Sequence, residues 1–188
     1  VRPYFFDKTG MWWLWCEDLK KWNLVDETDL LIMIKECSNH NTISSKTRNE
    51  ILEAMKQYGR TKVPNPIKET WIQFKDTIVD INTGEEIKAT PDYFVTNPIP
   101  YGLHKDRFEL TPTMDKVFEE WVGKENVNKL YQIIAYCLLS DYPLHRIFCF
   151  IGSGMNGKSK FLELLRKFVG NENCCSTELD TLMQSRFE

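Results

Sequence analysis

Apolar positions near the start of the chain come in short aromatic runs. Tyr4–Phe6 and Met11–Trp15 flank Asp7-Lys8-Thr9-Gly10, which has turn chemistry, so the segment predicts a β-hairpin. In the second run Met11, Trp13 and Trp15 share one face, and Trp12, Leu14 and Cys16 share the other. Both faces are apolar, which predicts a strand covered on both sides, by helices or by a neighbouring subunit. From Asp26 the rhythm becomes helical. Glu27 and Asp29 suit a first turn, and Leu30, Leu31, Met33 and Ile34 form a buried face. Thr47-x-x-Glu50 reads as a capping box ahead of a stripe of Ile51, Met55 and Tyr58, with Gly59 as the stop.

Val63-Pro64-Asn65-Pro66 predicts a rigid linker. Ile72–Val79 and Glu86–Ala89, on either side of the turn signal Asn82-Thr83-Gly84, return to strand, and Tyr93–Val95 is a further short one. Asn97-Pro98-Ile99-Pro100-Tyr101-Gly102 is irregular. The natural boundary therefore separates an α+β module, residues 1–109, from residues 110–188. After it, Thr111-Pro112 opens a helix whose Met114, Val117, Phe118, Trp121 and Val122 fall on one stripe. A second helix is predicted over Asn126–Leu139, with Val127, Leu130, Tyr131, Ile134, Cys137 and Leu138 inward and Pro143 as its stop. Ile147–Ile151 is uninterrupted apolar sequence suited to a buried parallel strand.

Composition changes this picture little. Apolar residues make up 42% and charged residues 27% of the 188 positions, as in ordinary globular proteins. The longest apolar runs are far too short to span a bilayer, and the N-terminus has no secretory pattern, so the expected setting is intracellular. A net charge of −3 supplies no global field for a polyanion. The basic clusters Lys20–Lys21, Arg60 to Lys62, and His104–Lys105 with Arg107 read as solvated surface. The six cysteines show no metal-ligand spacing and read as reduced thiols, with Cys137 and Cys149 acting as small hydrophobes and nothing beside Cys174–Cys175 to make that pair redox-active.

The sharpest chemistry lies at Gly152-Ser153-Gly154-Met155-Asn156-Gly157-Lys158-Ser159, a full match to G-x-x-x-x-G-K-[ST]. Glycines let such a loop curl until successive backbone N–H groups face one point, and the following helix aims its positive end there. Lys158 is suited to the β- and γ-phosphates of ATP, and the Ser159 hydroxyl to Mg²⁺. Phe161, Leu162, Leu164, Leu165, Phe168 and Val169 follow at helical spacing, and Gly170 closes that helix. Hydrolysis also needs an acidic residue on another strand and an arginine at the γ-phosphate. Residues 160–188 hold no apolar strand ending in Asp or Glu, and Glu178-Leu179-Asp180 reads as a helix start. With Val rather than Met at position 1, the expectation is a fragment cut before its ATPase domain is complete.

The motif order resembles that of superfamily 3 helicases, in particular the poxvirus-type and phage or plasmid primase-helicases. The resemblance rests on the Walker A loop Gly154–Ser159, on Phe74–Glu85 with its Asp80-Ile81-Asn82-Thr83-Gly84, and on Tyr93–Tyr101 with Asn97-Pro98-Ile99-Pro100-Tyr101. The helical lead Leu130–Leu139 and the phrase from Ser176 to Arg186-Phe187 complete it, so that it spans roughly Tyr4 to Phe187. It implies an α+β module, then helices and the first strand, P-loop and helix of a truncated α/β, AAA+-like ATPase. It also implies a hexameric ring that unwinds DNA with ATP and Mg²⁺ during viral, phage or plasmid replication, commonly with a primase attached. Walker B, the sensor residue and the arginine finger are then expected beyond Glu188, leaving these residues to hold nucleotide weakly without turning it over.

Two other readings stay open. A non-motor P-loop kinase or NTPase would carry the loop, although such enzymes place it near the chain start. The first module could instead serve nucleic-acid binding or oligomerisation. Its Trp12–Trp15 cluster reads more readily as core or subunit contact than as a platform for bases.

Overall fold

The computed structural model describes residues 2–38, 44–103, 111–140, 143–154 and 156–184. The chain divides into two units, Val1–Gly102 and Leu103–Glu188. The expected boundary at 109, the cluster His104, Lys105 and Arg107, loop residue Met155 and the Arg186-Phe187 phrase lie outside the described residues. Both helices and small sheets are present, and every sheet of three strands is antiparallel.

In the first unit, β1 (Tyr4–Phe6) and β2 (Trp12–Cys16) form the expected hairpin, and β3 (Lys21–Val25) adds a third strand that the sequence pattern did not reveal. Asp7 fixes the hairpin turn. Its Oδ1 accepts from Thr9 N at 2.8 Å and Met11 N at 3.0 Å, and its Oδ2 accepts from Trp13 Nε1 at 2.8 Å. Desolvation pushes this carboxyl up, but the bonds from Thr9, Trp13 and Met11 outweigh it and hold the pKa at about 2. The second reversal passes through Lys20, at φ 50°. Both faces of β2 are covered, as its alternation requires. Trp12 and Leu14 pack with Leu30, Met33 and Met55, whereas Trp15, only 1% exposed, packs with Phe5 and Trp22.

The helices cover the Trp12 face. α1 (Glu27–Cys37) starts at Asp26, whose Oδ1 accepts from Thr28 N at 2.7 Å and Asp29 N at 3.0 Å, while Asp29 Oδ2 accepts from Asp26 N at 3.2 Å. α2 (Ser45–Arg60) begins earlier than expected. Ser44 is its cap, and Thr47 supplies the N–H that Ser44 Oγ accepts at 3.2 Å. Gly59 is inside this helix instead of ending it. A Cβ there would lie 2.9 Å from Phe6 N, so the missing side chain lets α2 press against β1. Tyr58, expected on the buried stripe, is exposed, and Leu52 is buried in its place.

Farther along, β5 (Trp71–Gln73), β6 (Thr77–Asp80) and β7 (Glu86–Lys88) form an antiparallel meander, while β4 (Asn65–Pro66) pairs in parallel with β8 (Tyr93–Phe94). The single strand expected over Ile72–Val79 is therefore two. Phe74 N donates to Thr77 O at 2.8 Å, and Ile72 comes opposite Val79. The chain turns at polar Lys75-Asp76, and the two apolar ends satisfy each other's backbone. Asp80 holds the next turn. Its carboxylate accepts from Asn82 N at 3.0 Å and from Trp71 Nε1 at 3.1 Å, while Gly84, at φ 72°, donates its N–H to Asp80 O at 2.8 Å. These bonds, that from Asn82 foremost, hold the Asp80 carboxyl below the usual range.

The second unit contains α3 (Pro112–Val122), a 3₁₀ turn Lys124–Asn126, α4 (Val127–Tyr136), α5 (Lys158–Val169) and α6 (Leu179–Gln184). Its core is Phe118, Leu130 and Phe161, ringed by Met114, Trp121, Val122, Val127, Tyr131 and Ile134. Thr111 precedes α3 without capping it, since its Oγ1 is bonded to Tyr131 Oη at 3.0 Å. α4 stops at Tyr136, short of the expected Leu139, and Cys137 and Cys149 are exposed rather than acting as buried hydrophobes. All six cysteines are free. The acidic group near residue 180 does start a helix, with Asp180 in the first turn of α6.

The run Ile147–Ile151 departs most from expectation. It has no strand structure, and Ile147 and Ile151 are 91% and 92% exposed. Phe150 alone turns into the core, its ring centroid 5.2 Å from that of Phe161. A strand needs a neighbour to take its N–H and C=O groups, and the described residues of this unit include no strand.

Candidate functional site

In the loop at Gly152–Ser159, glycines sit where a side chain would either displace a neighbour or strain the backbone. A Cβ on Gly152 would sit 1.9 Å from Asn156 Nδ2, because the Asn156 amide folds across the loop onto that glycine. Gly154 is at φ 109°, and Gly157 is left-handed at φ 80° and ψ −6°. Gly157 is also the N-cap of α5, and it brings no side-chain acceptor to the first turn. Its own carbonyl accepts from Phe161 N at 2.9 Å, which fixes the start of the helix.

Lys158 turns back over the loop. Its Nζ donates to Gly152 O at 3.2 Å and to Asn156 Oδ1. Gly154, Asn156, Gly157, Lys158, Ser159 and Lys160 line a cleft of ≈ 330 Å³. Among the described residues two lysines and no carboxylate border it, and the positive end of α5 opens into it. Lys160 is partly neutralised by Glu163, 2.9 Å away on the next turn. The site thus suits a multiply charged anion bound through backbone N–H groups, with Lys158 as a point charge.

The chemistry of these residues is compatible with a triphosphate: two lysines line the cleft and the helix start carries no side-chain cap. Mg²⁺ would have Ser159 Oγ as a protein ligand and would otherwise rely on phosphate oxygens, since no His, Cys, Asp and Glu cluster among the described residues could hold a metal. Seven of the eight predicted site residues are described: Gly154, Asn156, Gly157, Lys158 and Ser159 line the cleft, Gly152 meets it through its carbonyl bond to Lys158, Ser153 is exposed outside its lining, and Met155 lies outside the described residues.

Trp121 of α3 is the contact that sequence reasoning missed. A Cβ on Gly157 would lie 2.5 Å from its indole Cδ2, Cε2 and Nε1. The only available signal, its place on the apolar stripe of α3, is the same as that of an ordinary core residue.

Elsewhere, the chemistry weighed from sequence is largely absorbed by folding. Of the Trp12–Trp15 cluster, Trp12 and Trp15 are buried, and Trp13 is half-buried against Phe5 and Phe94. The Arg60 guanidinium lies 4.8 Å from the centroid of the Phe6 ring, and the Lys62 ammonium 5.3 Å from that of Tyr58. Among the described residues no helix is long and apolar enough to cross a membrane.

No protein-family model matches the chain. Over 148 residues it is 26% identical to "Uncharacterized mitochondrial protein ymf21" of Marchantia polymorpha, a match covering 72% of this chain and 82% of that protein.

Proposed function

We propose that this chain carries the phosphate-binding part of an ATP-dependent DNA helicase of the superfamily 3, primase-helicase kind, acting in viral, phage or plasmid replication. The observation that carries the nucleotide part of this reading is the loop Gly152–Ser159, with Gly157 left-handed at an uncapped helix start and Lys158 lying over the cleft. The backbone N–H groups of the loop and the first turn of α5 would hold the phosphates, Lys158 would exchange Gly152 O and Asn156 Oδ1 for phosphate oxygens, and Ser159 Oγ would be the protein ligand of Mg²⁺. The metal neutralises phosphate charge when bound.

The DNA part rests on the phrases Phe74–Glu85 and Tyr93–Tyr101 together with their order ahead of the loop. In this reading the carboxylate that orients water and the arginine that meets the γ-phosphate lie outside the loop, the arginine being supplied by a neighbouring subunit of a hexameric ring. A primase domain is a further expected attachment. The similarity to a mitochondrial protein adds the mitochondrion to the intracellular settings where such an ATPase would work.

Calorimetric titration with MgATP tests the site: binding by the 188-residue chain that Lys158→Ala removes supports it, and equal binding by both counts against it. DNA-stimulated ATPase of the assembled protein tests the motor. Stimulation is expected, whereas ATP turnover indifferent to DNA would favour a kinase or another non-motor NTPase. Multiple turnover by the 188-residue chain alone would overturn the incomplete-site reading.

A further inference from the structure

The last glycine of the loop rests on an aromatic ring. A Cβ on Gly157 would be 2.5 Å from each of Trp121 Cδ2, Cε2 and Nε1. A point equidistant from three atoms of the five-membered ring lies on the axis above that ring. Gly157 therefore sits over the indole face and not against its edge.

Two independent features exclude a side chain at this position, the φ of 80° and the indole beneath it. The ring is itself held in place. Trp121 packs on Phe118 with centroids 5.8 Å apart, Phe118 is fully buried, and Phe118 meets Phe161 at 5.9 Å. Phe161 N in turn donates to Gly157 O. Gly157 is thus fixed from below by Trp121 and from the helix side by Phe161.

We propose that Trp121 is a positioning residue of the nucleotide site, its indole face being the floor that holds Gly157 left-handed so that Lys158 and the first turn of α5 face the phosphates. The proposal rests on the reading of this loop as a triphosphate site. Trp121 touches the loop backbone and not the reacting atoms. It acts by fixing the direction of the peptide N–H groups that follow Gly157, a geometry to which such sites are sensitive at the sub-ångström level. Phosphate binding must also be felt at the ring, because the loop cannot move without moving on it.

The tryptophan composition makes this readable. Of the six tryptophans, Trp12, Trp13, Trp15, Trp22 and Trp71 all belong to the first unit, and Trp121 alone belongs to the second. The 188-residue chain is titrated with MgATP, read by tryptophan emission and independently by calorimetry. The wild type is expected to change its emission on saturation. Trp121→Phe should lose that change while keeping affinity within about threefold, because a second aromatic face still supports Gly157. Trp121→Leu should bind about tenfold more weakly, with thermal unfolding confirming that it is folded.

Wild-type affinity in folded Trp121→Leu would overturn the proposal, as would an undiminished emission change in Trp121→Phe. Should Trp121→Leu fail to fold, the emission comparison between wild type and Trp121→Phe decides alone. Absence of calorimetric binding by the wild type would bring down the triphosphate reading and this inference together. Binding that ignores Trp121 would bring down only the inference.

Discussion

Two helices of this chain begin in opposite ways. α1 opens under Asp26, whose carboxylate takes the N–H groups of Thr28 and Asp29, while the Asp29 carboxylate returns to Asp26 N. α5 opens under Gly157, which has no side chain to offer, and its first residue is the cation Lys158, with no acidic residue in the first turn. The chain satisfies the first helix end itself and so makes it purely structural. At the second it places a left-handed glycine and a lysine where a carboxylate would normally sit, against the preference of the helix dipole. That is an unfavourable arrangement for a helix by itself, and a favourable one for holding phosphate.

The difference can be broken by mutation, starting with packing. α5 relies on burial instead of capping, and Phe118 is the fully buried residue linking it to α3. Phe118→Ala should cost about 3–5 kcal/mol, seen as loss or a large downshift of the second unit's thermal transition, with the first unit's transition unmoved. Coincident shifts of both would show that the two units do not melt separately.

Next comes charge. Lys158→Ala should weaken MgATP binding roughly ten- to hundredfold, as expected for loss of a charged hydrogen-bonding partner, with little change in melting temperature. Asp26→Ala should do the reverse, lowering the melting temperature of the first unit by about a few degrees and leaving nucleotide affinity alone. An effect of Asp26→Ala on affinity would dissolve the contrast between the two helix starts.

The smallest expected effect is one of pH. The Asp7 carboxyl is depressed in the folded chain to about 2 from an ordinary value of 3.8. A depressed carboxylate contributes stability above its unfolded pKa and loses it as pH falls through the folded one. Stability of the first unit should therefore decline between about pH 4 and about pH 2. Asp7→Asn should flatten that part of the acid-unfolding curve. An unchanged curve would mean that the bonds from Thr9, Met11 and Trp13 do not favour the charged form.

Much of this was legible locally. The Asp7–Gly10 turn, the Asp26 helix start, the stripe of α3 and the glycine-rich loop before α5 each involve residues within a few positions of one another, where turn, cap and period rules act. Less legible was whatever depended on a distant partner. The break at Phe74–Asp76 follows from Ile72 finding Val79, and Gly59 serves its approach to Phe6 instead of a helix end. Ile147–Ile151 shows the limit from the other side. Apolar character predicted burial, but burial requires a covering surface, and the described residues of its unit provide one for Phe150 and not for Ile147 or Ile151.

By itself, then, the sequence determined the chemistry of the loop: glycines at Gly152, Gly154 and Gly157, a cation at Lys158 and a hydroxyl at Ser159, because backbone freedom and functional groups are properties of residues. Only the tertiary structure decided what supports it. Trp121 and Gly157 are far apart in the chain, and their contact exists because α3 and α5 pack through Phe118 and Phe161. Packing is a property of pairs, so the ring beneath the loop could not be seen from Trp121 alone.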